Sequence, residues 1–408
     1  MTNVMEGIRI LEVAEHTFVP AAAAILSDWG AEVIKVEHAE RGDAMRGLSQ
    51  VGTIGFGDGV PVLLEHSNRG KQSIGLNLAD PDGLAILHRL VERSDVFLTN
   101  KLPAVLRRLH IDVDDIRAHN PDIVYVRGTG YGPEGPDADA GGYDFLGYWA
   151  RAGVAAGVRP LDDELPPMPP APAYGDSIGA MTIAGGIAAA LLHRERTGQA
   201  HVVDVSLLGT GMWAMGGGIA VAQQTKEPWT QFPPGTRGTP SNPLSGMYRA
   251  ADGKVIALSM LQGFHYWPDM CRRLGIDHAV DDSRFTTVEL LRIHAQKAAA
   301  LVADAIAAAP VRHWVDVFTG MPGQWSVVQD TVEVATDPQV LANGYLQELE
   351  TADGESFTLV TTPVQFDGEP AVARRAPTFH EHGDVILTEQ LGFDWDAVID
   401  LKLRGVVA

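Results

Sequence analysis

The chain has 408 residues, 45% hydrophobic and 20% charged, the make-up of an ordinary folded globular protein long enough for two or three domains. Its 52 acidic against 31 basic residues leave a net charge of −21, which argues against a nucleic-acid or anionic-membrane partner. One cysteine, Cys271, permits no internal disulfide; there is no basic-headed apolar leader, and the apolar runs are broken by Gly, Asp or Arg short of a membrane span, so a cytoplasmic protein is expected.

Gly7 to Ala14 reads as a buried parallel strand, Pro20 to Trp29 as the helix after it, and Gly30 to Glu37 as the next strand, a βαβ unit. The turn after the first strand, Glu15-His16-Thr17-Phe18-Val19-Pro20, contains no glycine, which argues against a nicotinamide or flavin dinucleotide there. Arg41-Gly42-Asp43 and Arg46 follow the second strand, and Asn68-Arg69-Gly70-Lys71-Gln72-Ser73-Ile74-Gly75-Leu76-Asn77-Leu78 comes next. Asp80-Pro81-Asp82-Gly83 caps a helix running to about Arg93; Asp95 to Thr99 is a strand leading into Asn100-Lys101-Leu102-Pro103 and a helix with Arg107 and Arg108. Ile123 to Gly128 is another strand. The G-x-G-x-x-G letters of Gly130 to Gly135 are a decoy, because Pro133 lies inside them, Pro136 follows and no apolar helix comes next.

Gly142-Tyr143-Asp144 and a proline-rich, extended stretch from Leu161 to Pro172 lead to Gly175-Asp176-Ser177. Ile178 to His193 then predicts an Ala/Gly-rich helix, which puts Asp176 at or beside its N-cap, facing free backbone N–H groups. On this evidence Asp176 is either a structural cap or a reactive carboxylate. A charged turn, Arg194 to Gln199, leads into the β-branched strand Val202 to Leu208, and the segment to Ala222 is helical. Gln223 to Pro243, dense in Pro, Gly and Thr, is a linker; Met247 to Leu258 is a hairpin with an Asp-Gly turn, opening a smaller domain that holds Trp267 to Leu274 and an Ala-rich helix, Leu290 to Ala309. His380 and His382 lie close in the chain, but no Cys or carboxylate at ligand spacing joins them, so no metal is expected.

In order and over nearly the whole chain, these segments resemble the family III CoA-transferases, the formyl-CoA transferase and carnitine CoA-transferase group. The likeness rests on the block from Pro172 to Ala214, on Val36-Glu37 with Gly42-Asp43 and Arg46, and on the Asn68 to Asn77 stretch, where Gln72 replaces a usual Arg. It extends to Asn100 to Pro103, where Lys101 replaces an aromatic residue, to the glycine loop before Gly142-Tyr143-Asp144, to Ser326 to Val340, and to Ala376 to Gly383.

The resemblance implies an α/β protein: a large Rossmann-like domain with a parallel sheet (1–222, completed by 339–408), linkers at 223–243 and 321–338, and a smaller α/β domain (244–320), in an interlocked homodimer. It implies that Asp176 is the nucleophile, that His38, Arg46, Lys71, Asn100, Lys101 and Arg108 bind CoA, and that Thr17, Tyr143 and Asp144 meet the substrate. Coenzyme A or acyl-CoA would be a substrate beside a carboxylic acid, with no permanently bound cofactor, no metal, no nucleic acid and no membrane. The chemistry suits a carboxylate, which can attack a thioester to give a mixed anhydride that the released thiolate opens to an aspartyl-CoA thioester. In the related α-methylacyl-CoA racemases a His stands at the position of Tyr143, and a phenol is a poor base at neutral pH. A transferase is therefore expected over a racemase or epimerase. A CoA-binding protein without catalysis is a third reading, suggested by Gln72, Lys101 and Met260-Leu261-Gln262-Gly263 where formyl-CoA transferases carry a glycine-rich loop.

Overall fold

Six short aliphatic runs build one parallel sheet: β1 (Arg9–Val13), β2 (Glu32–His38), β3 (Gln72–Leu76), β4 (Val96–Thr99), β5 (Val124–Thr129) and β6 (Val202–Ser206), in the order β3-β2-β1-β4-β5-β6. The computed structural model describes residues 3–48, 50–51, 54–55, 59–159, 165–230 and 241–408. Ile10 pairs in register with Val33 on one side and Val96 on the other. Alternate residues feed two cores: Ile10, Val33, Leu98 and Val126 face one helical layer, while Leu11, Ile34, Phe97 and Tyr125 face the other. The first layer holds α1 (Phe18–Asp28); the second holds α3 (Pro81–Val91), α5 (Val113–His119) and, from the end of the chain, α13 (Trp395–Leu403). Between them in sequence lie α2 (Val62–Asn68) and α4 (Pro103–Arg108). Strand order reverses between β1 and β4, which opens a crevice at their carboxyl ends, where doubly wound sheets bind ligands.

β3 is an edge strand, and its exposed N–H groups are covered by the histidines noted in the sequence. His380 Nδ1 accepts from Gly75 N–H at 3.0 Å and His382 Nδ1 from Ser73 N–H at 3.3 Å. These rings therefore protect a sheet edge.

The helix α6 (Tyr174–Thr197) starts four residues before the predicted Ile178 and is followed by α7 (Leu207–Ala214) and α8 (Gly216–Thr225). With 24 residues and a mean hydropathy of 1.4 over its best 18-residue window, it meets the length and composition of a membrane span. This corrects the expectation that apolar runs fall short of one, since Gly and Ala interrupt neither the helix nor its apolarity. Gly175, Gly179, Ala180, Ile183, Ala184 and Ile187 form a buried stripe at helical spacing, packed in the same core as α1, so α6 is a core helix along that face.

The chain divides into two units, 1–158 with 166–229 and 338–408, and 159–165 with 230–337. The second has an antiparallel sheet, β9-β8-β7, made of β7 (Ser245–Arg249), β8 (Val255–Ser259) and β9 (Trp325–Val327). The Asp-Gly turn joins β7 to β8, with Gly253 at φ +84°, a conformation that favours glycine. Helices α9 (Gly263–Arg273), α10 (Val288–Ile293), α11 (Ala295–Ala307) and α12 (Val311–Phe318) close a core of Trp267, Cys271, Val302, Trp314 and Phe318. Residues 231–240 of the expected linker 223–243 and 161–164 of the Leu161–Pro172 approach lie outside the described residues; α8 runs on to Thr225.

Candidate active site

The start of α6 is held by close backbone packing. A Cβ on Gly175 would lie 2.6 Å from Tyr148 Cγ, and one on Gly179 would lie 2.4 Å from Phe18 Cε2, so both positions need glycine. Phe18 opens α1 just beyond β1, which sets the first turn of α6 at the carboxyl side of the sheet. Its last turn lies at the opposite side, where Arg194 pairs with Asp95 at 2.6 Å.

Asp176 is the third residue of α6, and the N-cap is Ala173, in the left-handed region at φ +54°. The capping carboxylate comes from elsewhere in the chain: Asp144 Oδ2 accepts the Gly175 N–H at 3.1 Å. One expectation changes: Asp176 is not the cap. Burial, and then the charge of Asp144, push its carboxyl up to about 8. Among the described residues no Lys, Arg or His is paired with it. Asp176 is thus a half-buried carboxyl with no paired cation among the described residues, beside a second carboxylate that anchors the helix.

The loop that brings Asp144 here is the decoy glycine stretch. A Cβ on Gly130 would lie 2.8 Å from Gly142 Cα, so the loop closes on itself by backbone contact and delivers Tyr143 and Asp144. Tyr143 is 63% exposed and meets His16 edge-on, ring centroids 5.5 Å apart. Thr17 is buried at the N-cap of α1 without a side-chain capping bond. One further residue has no motif to announce it: His66 Nε2 on α2 lies 3.4 Å from Ser177 Oγ, and burial, then Arg69, push His66 down to about 4, so it is neutral.

The residues expected to bind CoA divide by geometry. His38, at the end of β2, and Arg108, at the end of α4, are exposed, and neither has an ion-pair partner among the described residues. Lys101 sits beside Glu15 at 3.1 Å. Arg46 forks onto Glu37 at 2.7 and 2.6 Å and also donates to the Pro377 carbonyl. Lys71 does not offer a surface charge: its enclosed ammonium donates to Glu12 at 2.6 Å and to Asn68 at 3.0 Å. Burial lowers it to about 7 against the pull of Glu12. Asn100 turns inward, donating to the Glu15 carbonyl at 2.6 Å and accepting the Glu15 N–H at 3.1 Å.

Beneath the crevice the sheet carries charge through its middle. Lys35 Nζ lies 2.8 Å from Glu12 and 2.7 Å from Asp43, all fully enclosed, and Glu12 bridges on to Lys71. Lys35, flanked by Ile34 and Val36 within a buried parallel strand, was the available signal for this network. Two clefts, of about 470 and 490 Å³, lie at the opposite side of the sheet, beside Gly30–Val33 with Gly70–Gln72 and beside Ser94–Asp95, so neither contains Asp176.

Comparison with known proteins identifies the family. The profile of CoA-transferase family III matches residues 5–383. The (R)-2-hydroxy-4-methylpentanoate CoA-transferase of Clostridioides difficile is 29% identical over 404 residues, 99% of each chain. The human succinyl-CoA:glutarate CoA-transferase is 28% identical over 416 residues, 100% of this chain and 91% of the relative. A crystal structure of Rv3272 from M. tuberculosis superposes with a TM-score of 0.78 at 27% identity, covering 93% of this chain and 98% of that one. The chain belongs to CoA-transferase family III and is a CoA-transferase.

Proposed function

We propose that the protein moves CoA from an acyl-CoA thioester to a free carboxylic acid through covalent intermediates on Asp176. Asp176 Oδ attacks the thioester carbonyl, the C–S bond breaks and CoA leaves as thiolate, giving a mixed anhydride. The thiolate then attacks the aspartyl carbonyl, forming the aspartyl-CoA thioester and freeing the donor acid; the acceptor carboxylate repeats the two steps in reverse. One observation carries this reading: a half-buried carboxyl, unpaired among the described residues and raised to about 8, at the first turn of α6. A carboxylate that is costly to ionise is a stronger nucleophile once ionised. Arg108 and Lys101, with the His38 ring as a hydrogen-bonding neighbour, would meet the phosphates of CoA. Tyr143, exposed beside Asp144, is a wall for the acyl group.

The acceptor is an organic acid of the size the relatives' names indicate, and a panel containing 2-hydroxy-4-methylpentanoate, glutarate and succinate samples that class. Incubation with an acyl-CoA followed by hydroxylamine or borohydride and peptide mass spectrometry should find the modification on Asp176. An unmodified Asp176 during turnover would overturn the mechanism.

We further propose that the working form is a homodimer in the cytoplasm. α8 buries none of its residues, and Trp213 on α7 is 87% exposed beside exposed Met212, an apolar face suited to a second copy of the chain. Interlocking through the long connections between the two units follows from the family resemblance. A monomer at micromolar concentration by light scattering would refute the dimer.

A further inference from the structure

The turn Ala14–Thr17, between β1 and α1, is held almost wholly by side chains. Lys35 Nζ donates to the Ala14 carbonyl at 2.9 Å. Asn100 takes both the N–H and the carbonyl of Glu15, and Asp43 Oδ1 accepts the His16 N–H at 3.2 Å. Four successive main-chain groups are thus satisfied by three residues, Lys35 within β2, Asp43 just after it and Asn100 just after β4. His16 needs that support, because it sits at φ +67°, a conformation an L-residue with a side chain adopts at a cost. Held there, its ring meets Tyr143, whose neighbour Asp144 anchors the N–H of Gly175, one residue before Asp176.

We propose that Asn100, with the buried pair Lys35 and Asp43, is a positioning residue for transfer: the three clamp the Ala14–Thr17 turn, and through His16 and Tyr143 they set the wall against which the acyl group meets Asp176. The proposal rests on the reading of Asp176 as nucleophile, and it gives Asn100 a role other than contact with the nucleotide. The orientation of the Asn100 amide is fixed by its two bonds, because only the observed orientation lets it donate to a carbonyl and accept from an N–H at once. Lys35 has no exposed surface, so it cannot act by touching substrate.

The test compares Asn100→Ala with the unaltered enzyme using two donors, an acyl-CoA and the matching acyl-pantetheine, which lacks the nucleotide. A clamp predicts that kcat falls at least tenfold with both donors while KM changes less than threefold. Contact with the nucleotide predicts a raised KM with acyl-CoA and little change with acyl-pantetheine, and that pattern would overturn the proposal. Amide hydrogen exchange over residues 14–17 gives a readout independent of activity: in Asn100→Ala the Glu15 and His16 amides should lose at least tenfold in protection. Unchanged protection there would also overturn it. Trapping on Asp176 in the unaltered enzyme tests the underlying mechanism separately, so failure of the clamp and failure of the nucleophile give different results.

Discussion

Replacing Asp176 by Asn should abolish transfer and at the same time make the protein more stable, increasingly so as pH rises. The carboxyl titrates near its ordinary 3.8 in the unfolded chain and at about 8 in the fold, so between those values the folded state binds the extra proton. Stability contributed by this group is therefore present below about pH 4, falls as pH rises towards 8, and levels off above it. Four units at about 1.36 kcal/mol each set an upper bound of about 5–6 kcal/mol on the gap. Asn keeps the shape and hydrogen-bonding capacity of the neutral carboxyl without the ionisation. Urea unfolding of both proteins at pH 5.5, 7.0 and 8.5 should show a gap favouring Asp176→Asn that widens across the series. The same titration requires kcat/KM for transfer to climb through pH 7 to 8, since only about a tenth of the free enzyme carries the ionised nucleophile at pH 7. A gap that closes or reverses at pH 8.5 would mean that a cation or several N–H groups stabilise the carboxylate, and the electrostatic reasoning would be wrong.

Lys35→Met leaves Glu12 and Asp43 buried without their shared cation, and should lower unfolding free energy by about 3–5 kcal/mol in chemical denaturation, the range for breaking an enclosed ion pair. Gly179→Ala drives a methyl towards the enclosed Phe18 ring, so a loss of about 1–3 kcal/mol should appear together with slower trapping of Asp176. His380→Ala leaves the Gly75 N–H without its acceptor, and a loss of about 1–3 kcal/mol with faster exchange at that amide is expected. During turnover in heavy water no deuterium should enter the α-position of a branched acyl-CoA, as read by mass spectrometry; incorporation would favour the racemase reading.

The β-strand runs, the glycine-free first turn and the order of motifs were readable in the chain because each depends on neighbours in sequence: alternation of side chains, turn chemistry, and the fixed φ of proline. They were enough to expect a Rossmann-like sheet and to put Asp176 at a helix start; its role as nucleophile came from the family resemblance. Its surroundings were not readable. The cap on α6 is Asp144, some thirty residues upstream, and no local pattern marks Ala173 as the start of a helix. For the same reason Lys71 and Asn100, which read as a cation and a donor for a ligand, turned out to point inward, at Glu12 and Glu15, which the pairing of β1 with β2 and β4, and of β2 with β3, brings close. Sequence determined which residues could carry charge and where the chain must turn. Only the folded chain decided which charges neutralise one another inside and which carboxyl is left without a partner, because burial and Coulomb interaction depend on distance in space and not on separation along the chain.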